Sequence, residues 1–129
     1  MGTYYKGGTT TYHTVSDNIP STADKYEYSN GYFGDKGQAK VKNNYYRQIV
    51  CKDQYAEAKN FYDSIAHGGV EQQLPNGKGY ITKLKDGTII TYREVTSTEG
   101  SPAVEINIKK TQNSGGVKSQ KIHFEKESN

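Results

Sequence analysis

The chain has 129 residues, a formal net charge of +3 at pH 7 and a hydrophobic fraction of only 32%. That length supports one domain with a lean core, and the mild positive charge suits a polyanionic partner without requiring one. The single cysteine, Cys51, excludes an internal disulfide framework, and no apolar run is long enough to span a membrane. With only this cysteine and three histidines to offer, we expect no metal centre and no other cofactor.

Residues 1–37 are rich in Gly, Thr, Ser and Tyr, and we interpret them as an irregular arm. Ten of the twelve tyrosines lie between Tyr4 and Tyr62, whereas Ile, Leu and Val are concentrated in the second half of the chain. Polarity of this kind usually indicates disorder, but so many aromatic side chains favour docking of the arm on the domain. The first residues contain no apolar run, so we expect no ordinary signal peptide there.

Residues 38–67 are expected to form one or two helices. The segment QAKVKNNYYRQIV (38–50) is consistent with a short helix, and KDQYAEAKNFYDSIAHGG (52–69) predicts a clearer one. Asp53 is a suitable N-cap for the second helix, and Gly68 is a natural stop. One apolar stripe with helical spacing runs along it and comprises Tyr55, Ala58, Tyr62 and Ile65, with Phe61 at its edge.

Four segments with the character of strands follow, separated by turns rich in Gly, Ser and Thr: residues 78–85, 87–95, 102–109 and 119–125. Helices followed by a run of strands predict an α+β domain. We expect the helices to pack on one face of a four-stranded antiparallel meander, with the irregular arm before them. The domain formed by these helices and strands would then span residues 38–129.

The hairpin at Lys85-Asp86-Gly87 determines which side chains share a face, because a slip of one residue exchanges the two faces. A two-residue turn would mix apolar and polar side chains on both faces. A three-residue loop with Gly87 in the left-handed conformation would instead pair Leu84 with Thr88. It would also pair Tyr80 with Tyr92 on the core face. The second register separates the side chains better, and it is the one that we predict.

The opposite, outer face of the predicted sheet carries side chains suited to the cleavage of RNA without metal. Such cleavage needs a base for the ribose 2′-OH, an acid for the leaving oxygen, and cations or donors at the phosphate. His123 is the candidate for one proton transfer and Glu105 for the other, and the sequence leaves their roles interchangeable. A solvated sheet face is polar in any case. The catalytic candidates are His123, Arg93, Thr91, Glu105 and Lys83.

Four further residues are candidates for binding the substrate. Lys121 and Asn107 lie on the predicted outer face, where they offer a cation and an amide to a phosphate or a base. His67 follows the second helix and would face the same cleft if its side chain does not cap the helix end. Tyr80 would stack on a base if the predicted register is wrong.

Three segments, KLKDGTIITYRE, SPAVEINI and KSQKIHF, carry a resemblance to a known group of proteins. They are similar to the C-terminal toxin domains of bacterial polymorphic toxins, which include contact-dependent inhibition proteins, wall-associated YD-repeat proteins and LXG exported toxins. The resemblance covers residues 38–125 and leaves the arm outside. Its best-matched positions are Thr91 and Arg93 in TYRE and His123 in KIHF, while Lys83 and Glu105 match less well.

The resemblance implies a layout like that of the barnase, EndoU, colicin and RelE group, in which helices pack on an antiparallel sheet. It implies cleavage of RNA, often tRNA, by 2′-OH attack without metal, and a cognate immunity protein that inhibits the toxin. The expected state is a monomer or a heterodimer with that protein. The domain would be delivered, secreted or on the cell surface, as the C-terminal part of a larger bacterial protein, and would act in the cytoplasm of the target cell.

Two other classes of function compete with this interpretation. A metal-dependent toxin DNase would need clustered carboxylates or histidines for its metal, and EDTA would abolish its activity. A non-enzymatic module that binds RNA or protein would instead keep its activity when His123 is replaced. The ribonuclease is the function that we predict from the sequence.

Overall fold

The structure is a computed structural model that describes residues 12–37, 44–109 and 114–128. Within these ranges the chain forms two helices, a mixed sheet of seven strands and a separate two-stranded sheet. The α+β class is therefore confirmed, but the sheet is not the four-stranded antiparallel meander that was predicted. In chain order the elements are α1 (Val15–Ala23), β1 (Tyr28–Ser29), β2 (Tyr32–Phe33), β3 (Asp35–Lys36), β4 (Tyr46–Cys51), α2 (Gln54–Ile65), β5 (Val70–Gln73), β6 (Gly79–Lys83), β7 (Ile89–Arg93), β8 (Ala103–Asn107) and β9 (Gln120–Lys126).

The large sheet has the order β3-β4-β9-β8-β7-β6-β5. Strands β6 to β9 match the four predicted strands and pair antiparallel with one another, as predicted. The three additional strands extend this meander on both sides. Strand β5 pairs with β6 at one edge, while β4 runs parallel to β9 and carries β3 at the other edge. Parallel pairing of β4 with β9 makes the sheet mixed.

The helix predicted over residues 38–50 is wrong in the part that the structure describes. Residues 46–51 form β4, whereas residues 38–43 lie outside the described residues. Strand β4 pairs Arg47 with Ile122 and Ile49 with Phe124, so its backbone and its inward side chains are satisfied by β9. Its Tyr, Ile and Val residues favour a strand once such a partner is present. The partner is distant in sequence, so local propensity did not reveal it.

The arm was expected to be irregular, but over residues 15–36 it forms α1 and β1 to β3. A capping box begins α1: the Thr14 hydroxyl accepts from the Asp17 backbone N–H at 3.1 Å, and the Asp17 carboxylate accepts from the Thr14 N–H at 2.9 Å. Val15 and Phe33 are fully buried. Residues 15–36 therefore belong to the folded domain, and residues 1–11 of the predicted arm lie outside the described residues.

Helix α2 covers the face of the sheet that holds the core. Asp53 is its N-cap, as predicted, and its carboxylate accepts from the Ala56 N–H at 3.1 Å. The predicted stripe is wrong at Tyr55, which is 44% exposed, and Phe61 takes its place at the centre of the buried face. The residues of α2 that are buried against the sheet are Ala58, Phe61, Tyr62 and Ile65.

Phe33, Phe61 and Phe124, the chain's only phenylalanines, form one fully buried cluster. The ring centroid of Phe61 lies 5.1 Å from that of Phe33 and 5.6 Å from that of Phe124, and both distances are typical of favourable aromatic pairs. The cluster joins β2, α2 and β9. It places the core on one side of the large sheet, and the other side of the central strands β7 to β9 is predominantly polar.

Two buried polar side chains tie the arm to the central strands. The Gln120 side chain is fully buried; its Oε1 accepts from the Phe33 N–H at 2.8 Å, and its Nε2 donates to the Gly31 carbonyl at 2.9 Å. Arg47 donates from Nε to the Phe33 carbonyl at 3.0 Å and from Nη2 to the Gly34 carbonyl at 2.7 Å. Buried backbone groups of the arm are thus satisfied by side chains of the sheet.

The hairpin between β6 and β7 has the predicted three-residue loop. The Leu84 N–H donates to the Thr88 carbonyl at 2.9 Å, and Gly87 has a φ of 88°. Tyr80 lies opposite Tyr92, as predicted. The register predicted for the hairpin is confirmed, and with it the division of its side chains between the two faces.

We expect Gln120→Met to lower the free energy of unfolding by about 2 kcal/mol, because it leaves the buried Phe33 N–H without an acceptor. Methionine has a similar shape, so the loss would report the hydrogen bond rather than a cavity. Urea denaturation of the two proteins measures the difference. Gln73→Met, at an exposed position of β5, is the matched control and should change stability by less than about 0.5 kcal/mol. Equal stability of wild type and Gln120→Met would contradict a stabilising role for the hydrogen bond between Gln120 and the Phe33 backbone.

Candidate active site on the outer face

All seven side chains predicted for the outer face share that face in the structure. Because side chains alternate along a strand, the pairings of β6 to β9 fix this arrangement. Helix α2 and the core lie on the opposite face. The seven residues are Lys83, Thr91, Arg93, Glu105, Asn107, Lys121 and His123.

Four of these residues are close neighbours at the centre of the face. Glu105 lies directly opposite Thr91 of β7 and directly opposite Lys121 of β9. His123 lies opposite Ala103, which places it diagonally from Glu105, at a distance of about 7–8 Å in such ladders. Thr91 is only 6% exposed, so it forms the floor rather than the rim. We call His123, Glu105, Lys121 and Thr91 the central cluster.

His123 is half-buried and is held by the loop before β8. Its Nδ1 lies 3.0 Å from the hydroxyl of Ser101, a buried residue whose carbonyl accepts from the Thr96 hydroxyl at 2.8 Å. Burial lowers the pKa of His123, and the positive charge of Lys121 lowers it further. The imidazole is therefore neutral at neutral pH, with one ring nitrogen engaged by Ser101. Its Nε2 has no hydrogen-bond partner within the described ranges.

Glu105 is held by a tyrosine that the sequence did not single out. The Tyr45 hydroxyl donates a short hydrogen bond to the Glu105 carboxylate. The Tyr45 carbonyl accepts from the Lys121 N–H at 2.8 Å, which fixes this residue beside β9, immediately before β4. Burial and the bond to Glu105 raise the pKa of the Tyr45 phenol, so it stays protonated and remains a donor. Both Tyr45 and Ser101 thus orient a candidate proton-transfer group.

Sequence reasoning missed Tyr45 and Ser101 for different reasons. Ser101 directly precedes a predicted strand in the segment SPAVEINI, so its position near the outer face could have been predicted. Tyr45 lies in a segment that was predicted to be helical, and its contact with Glu105 depends on the parallel pairing of β4 with β9. No local signal in the sequence indicates that contact.

Arg93, Asn107 and Lys83 lie around the central cluster rather than in it. Arg93 is two strands from His123 in the same row, about 10 Å across the sheet, and its long side chain is exposed. Asn107 lies opposite Ile89. Lys83 also lies opposite Ile89, three strands from β9, at about 14 Å. A lysine at that distance does not reach a phosphate that contacts His123.

Tyr80 and His67, the remaining predicted substrate contacts, are not on the outer face. Tyr80 faces the helix, where its ring stacks at 6.3 Å from that of Tyr62, as the confirmed hairpin register requires. His67 follows the end of α2 and packs edge-on against His13, with ring centroids 4.8 Å apart. A substrate bound at the central cluster therefore touches neither residue, and these two assignments are corrected.

Residues 12–37, 44–109 and 114–128 contain no group of three His, Cys, Asp or Glu side chains placed to hold a metal ion. Neither helix in these ranges has the length and apolar character needed to cross a bilayer. The chemistry available at the central cluster consists of proton transfer by an imidazole and a carboxyl group, together with stabilisation of negative charge by a lysine and a hydroxyl.

We expect Lys121→Gln to raise the pKa of His123 towards its usual value, because the substitution removes the neighbouring positive charge. The shift is measured by following the His123 ring protons by NMR during a pH titration. Lys126→Gln removes the same charge from an exposed position of the same strand, on the other face, and should leave that pKa almost unchanged. An unchanged pKa in Lys121→Gln would contradict the coupling.

Comparisons of this chain with protein-family models, with curated proteins and with solved structures find no match in any of the three. The resemblance to toxin domains therefore stays a prediction from the sequence. The α+β fold and the arrangement of the outer face are the findings on which a function can be argued.

Proposed function

We propose that this chain is a metal-independent toxin endoribonuclease that cleaves RNA, with tRNA as the expected substrate, through attack of the ribose 2′-OH. The observation that carries the proposal is the central cluster, in which a neutral imidazole and a carboxyl group are each oriented by a separate hydrogen bond. Groups of this kind are what proton transfer to and from ribose and phosphate oxygens requires. The ribonuclease-like segments of the sequence support the same class of reaction.

The lowered pKa of His123 favours the imidazole as the base that takes the 2′-OH proton. Its Nε2 is the atom for this role, because Nδ1 is engaged by Ser101. The 2′-oxygen then attacks the phosphorus, and the 5′-oxygen leaves with a proton. The Tyr45 hydroxyl is the proton donor beside this site, and the Glu105 carboxylate that accepts from it can relay that proton to the leaving oxygen.

Charge on the pentacoordinate phosphate needs donors that are already in position. Lys121 lies directly opposite Glu105 and two residues before His123 on β9, and Thr91 lies on the floor beside Glu105. Arg93 lies two strands from His123 in the same row, with its side chain exposed on the same face. A phosphate bound beside Lys121 offsets the charge that lowers the pKa of His123, so the imidazole accepts a proton more readily once substrate is bound.

The biological setting of the proposal rests on the resemblance alone. The domain would be the C-terminal part of a larger bacterial protein that is secreted or displayed on the cell surface, and it would act in the target-cell cytoplasm. A cognate immunity protein would inhibit it by binding, which gives a toxin–immunity heterodimer, whereas the toxin by itself would be a monomer. An acidic immunity surface would complement the lysines and the arginine of the outer face.

Cleavage of total bacterial RNA in EDTA tests the proposal directly. We expect wild type to cut RNA, with tRNA as the main substrate. We expect His123→Ala to cut more slowly by about 10²–10⁴-fold, which is the usual contribution of a general base. Lys126→Gln, on the same strand but the other face, is the control and should cut at the wild-type rate. Circular dichroism confirms that both variants are folded.

Three other results separate the alternatives. Cleavage of DNA only, restored by Mg²⁺ after EDTA, would favour the metal-dependent DNase. The binding module would be favoured if wild type and His123→Ala bind RNA with equal affinity and neither protein cleaves it. Equal cleavage by wild type and His123→Ala would keep the ribonuclease but remove His123 from its mechanism.

The pH dependence of cleavage distinguishes a base from an acid at His123. If the imidazole is the base, the rate rises with pH as the ring loses its proton, and the midpoint lies below the usual value of about 6.5 because the pKa is lowered. We expect Lys121→Gln to move this midpoint to higher pH. If kcat/KM instead falls with rising pH in the same range, His123 is the acid.

A further inference from the structure

A cavity of about 510 Å³ lies at the edge of the outer face formed by β5, β6 and β7. Its floor is apolar and consists of Val70, Ile81, Leu84 and Ile89. Its polar groups are Gln72 of the edge strand and two lysines, Lys83 at the end of β6 and Lys85 in the following turn. We call this cavity the edge groove. Its size falls within the range of sites that hold small organic ligands.

The edge groove is continuous with the central cluster along one row of the sheet. Ile81 of the groove lies directly opposite Thr91, and Thr91 lies directly opposite Glu105. On the other side of Ile81 the row ends at Gln72. The groove and His123 are separated by three strand spacings, about 14 Å. A ligand that fills both places must therefore be an extended polymer rather than one nucleotide.

The side chains of the groove select a nucleotide among polymer units. Aliphatic side chains on the floor suit the flat face of a base, and the Gln72 amide can both donate to and accept from a base edge. The two lysines suit a phosphate, and none of the described residues that line the cavity carries a carboxylate. A polysaccharide unit would leave the lysines without anionic partners, whereas a nucleotide uses the floor, the amide and the cations together.

We propose that the edge groove binds a nucleotide of single-stranded RNA that flanks the cleavage site, with its base on Ile81 and Ile89 and its phosphate at Lys83 and Lys85. The inference rests on the proposed function for the identity of the polymer. It gives Lys83 a role that its distance from His123 allows, since this lysine holds a flanking phosphate instead of the reacting one. Affinity then depends on substrate length, because only a longer strand reaches the groove.

Binding of a fluorescent 2′-O-methyl RNA octamer, which resists cleavage by 2′-OH attack, tests the groove apart from catalysis. We expect Lys85→Ala to weaken binding by about fivefold and to reduce the slope of log Kd against log salt by about 0.7, the value for one phosphate contact on a single strand. Lys25→Ala is the matched control, because it removes an exposed lysine on the helix side. It should change neither quantity.

The apolar floor is tested with a second variant and a second probe. Ile81→Thr keeps a β-branched residue in the strand, and we expect it to weaken binding of the octamer but not of an abasic octamer with the same phosphates. Lys85→Ala should weaken both. Two results would overturn the groove as a nucleotide site. One is an equal effect of Ile81→Thr on the binding of the two probes. The other is wild-type affinity for the octamer in both Ile81→Thr and Lys85→Ala.

Cleavage of an unmodified octamer by wild type, run in parallel, separates this inference from the proposed function. Cleavage with no effect of either groove variant on binding keeps the ribonuclease and overturns the groove. Binding that depends on the groove, without cleavage in EDTA, keeps the groove as an RNA site and overturns the ribonuclease. No binding of either probe and no cleavage overturn both.

Discussion

The pairing of β9 with β8, in which His123 lies opposite Ala103, is the constraint on which the candidate site depends. Side chains alternate between faces, so a slip of one residue would turn His123 into the core and Phe124 out of it. Several contacts oppose such a slip: Phe124 packs against Phe61, Gln120 clamps the arm, and Ser101 holds the imidazole. The same contacts that stabilise the core therefore define the outer face.

Much of the outer face could be predicted because its information is local. Alternation in the four strands, and the preference of Gly87 for a positive φ, were enough to assign the seven polar side chains to one face. The rest depends on partners that are distant in sequence. Strand β4 is a strand because β9 accepts it, β5 is polar and has no alternating pattern, and the Tyr45–Glu105 bond exists only through that parallel pairing.

The secondary structure of residues 15–36 was not predicted, for a related physical reason. Few aliphatic residues precede position 38, so composition alone indicated a segment without its own core. The structure satisfies this segment with side chains from elsewhere: Phe33 joins the phenylalanine cluster, and Gln120 and Arg47 bond its backbone. A segment that borrows its core cannot be recognised from its own residues. The arm and the sheet are therefore one structural unit over the described residues.

The position of β9 has a consequence for synthesis on the ribosome. Strand β9 follows all other described strands in the chain, yet it lies inside the sheet between β4 and β8. A nascent chain that lacks it has two separate pieces of sheet and exposed apolar surface, and it also lacks His123 and Lys121. Assembly of the sheet must therefore wait until this strand has left the exit tunnel. The outer face therefore acquires His123 and Lys121 in their final positions only after β9 has been translated.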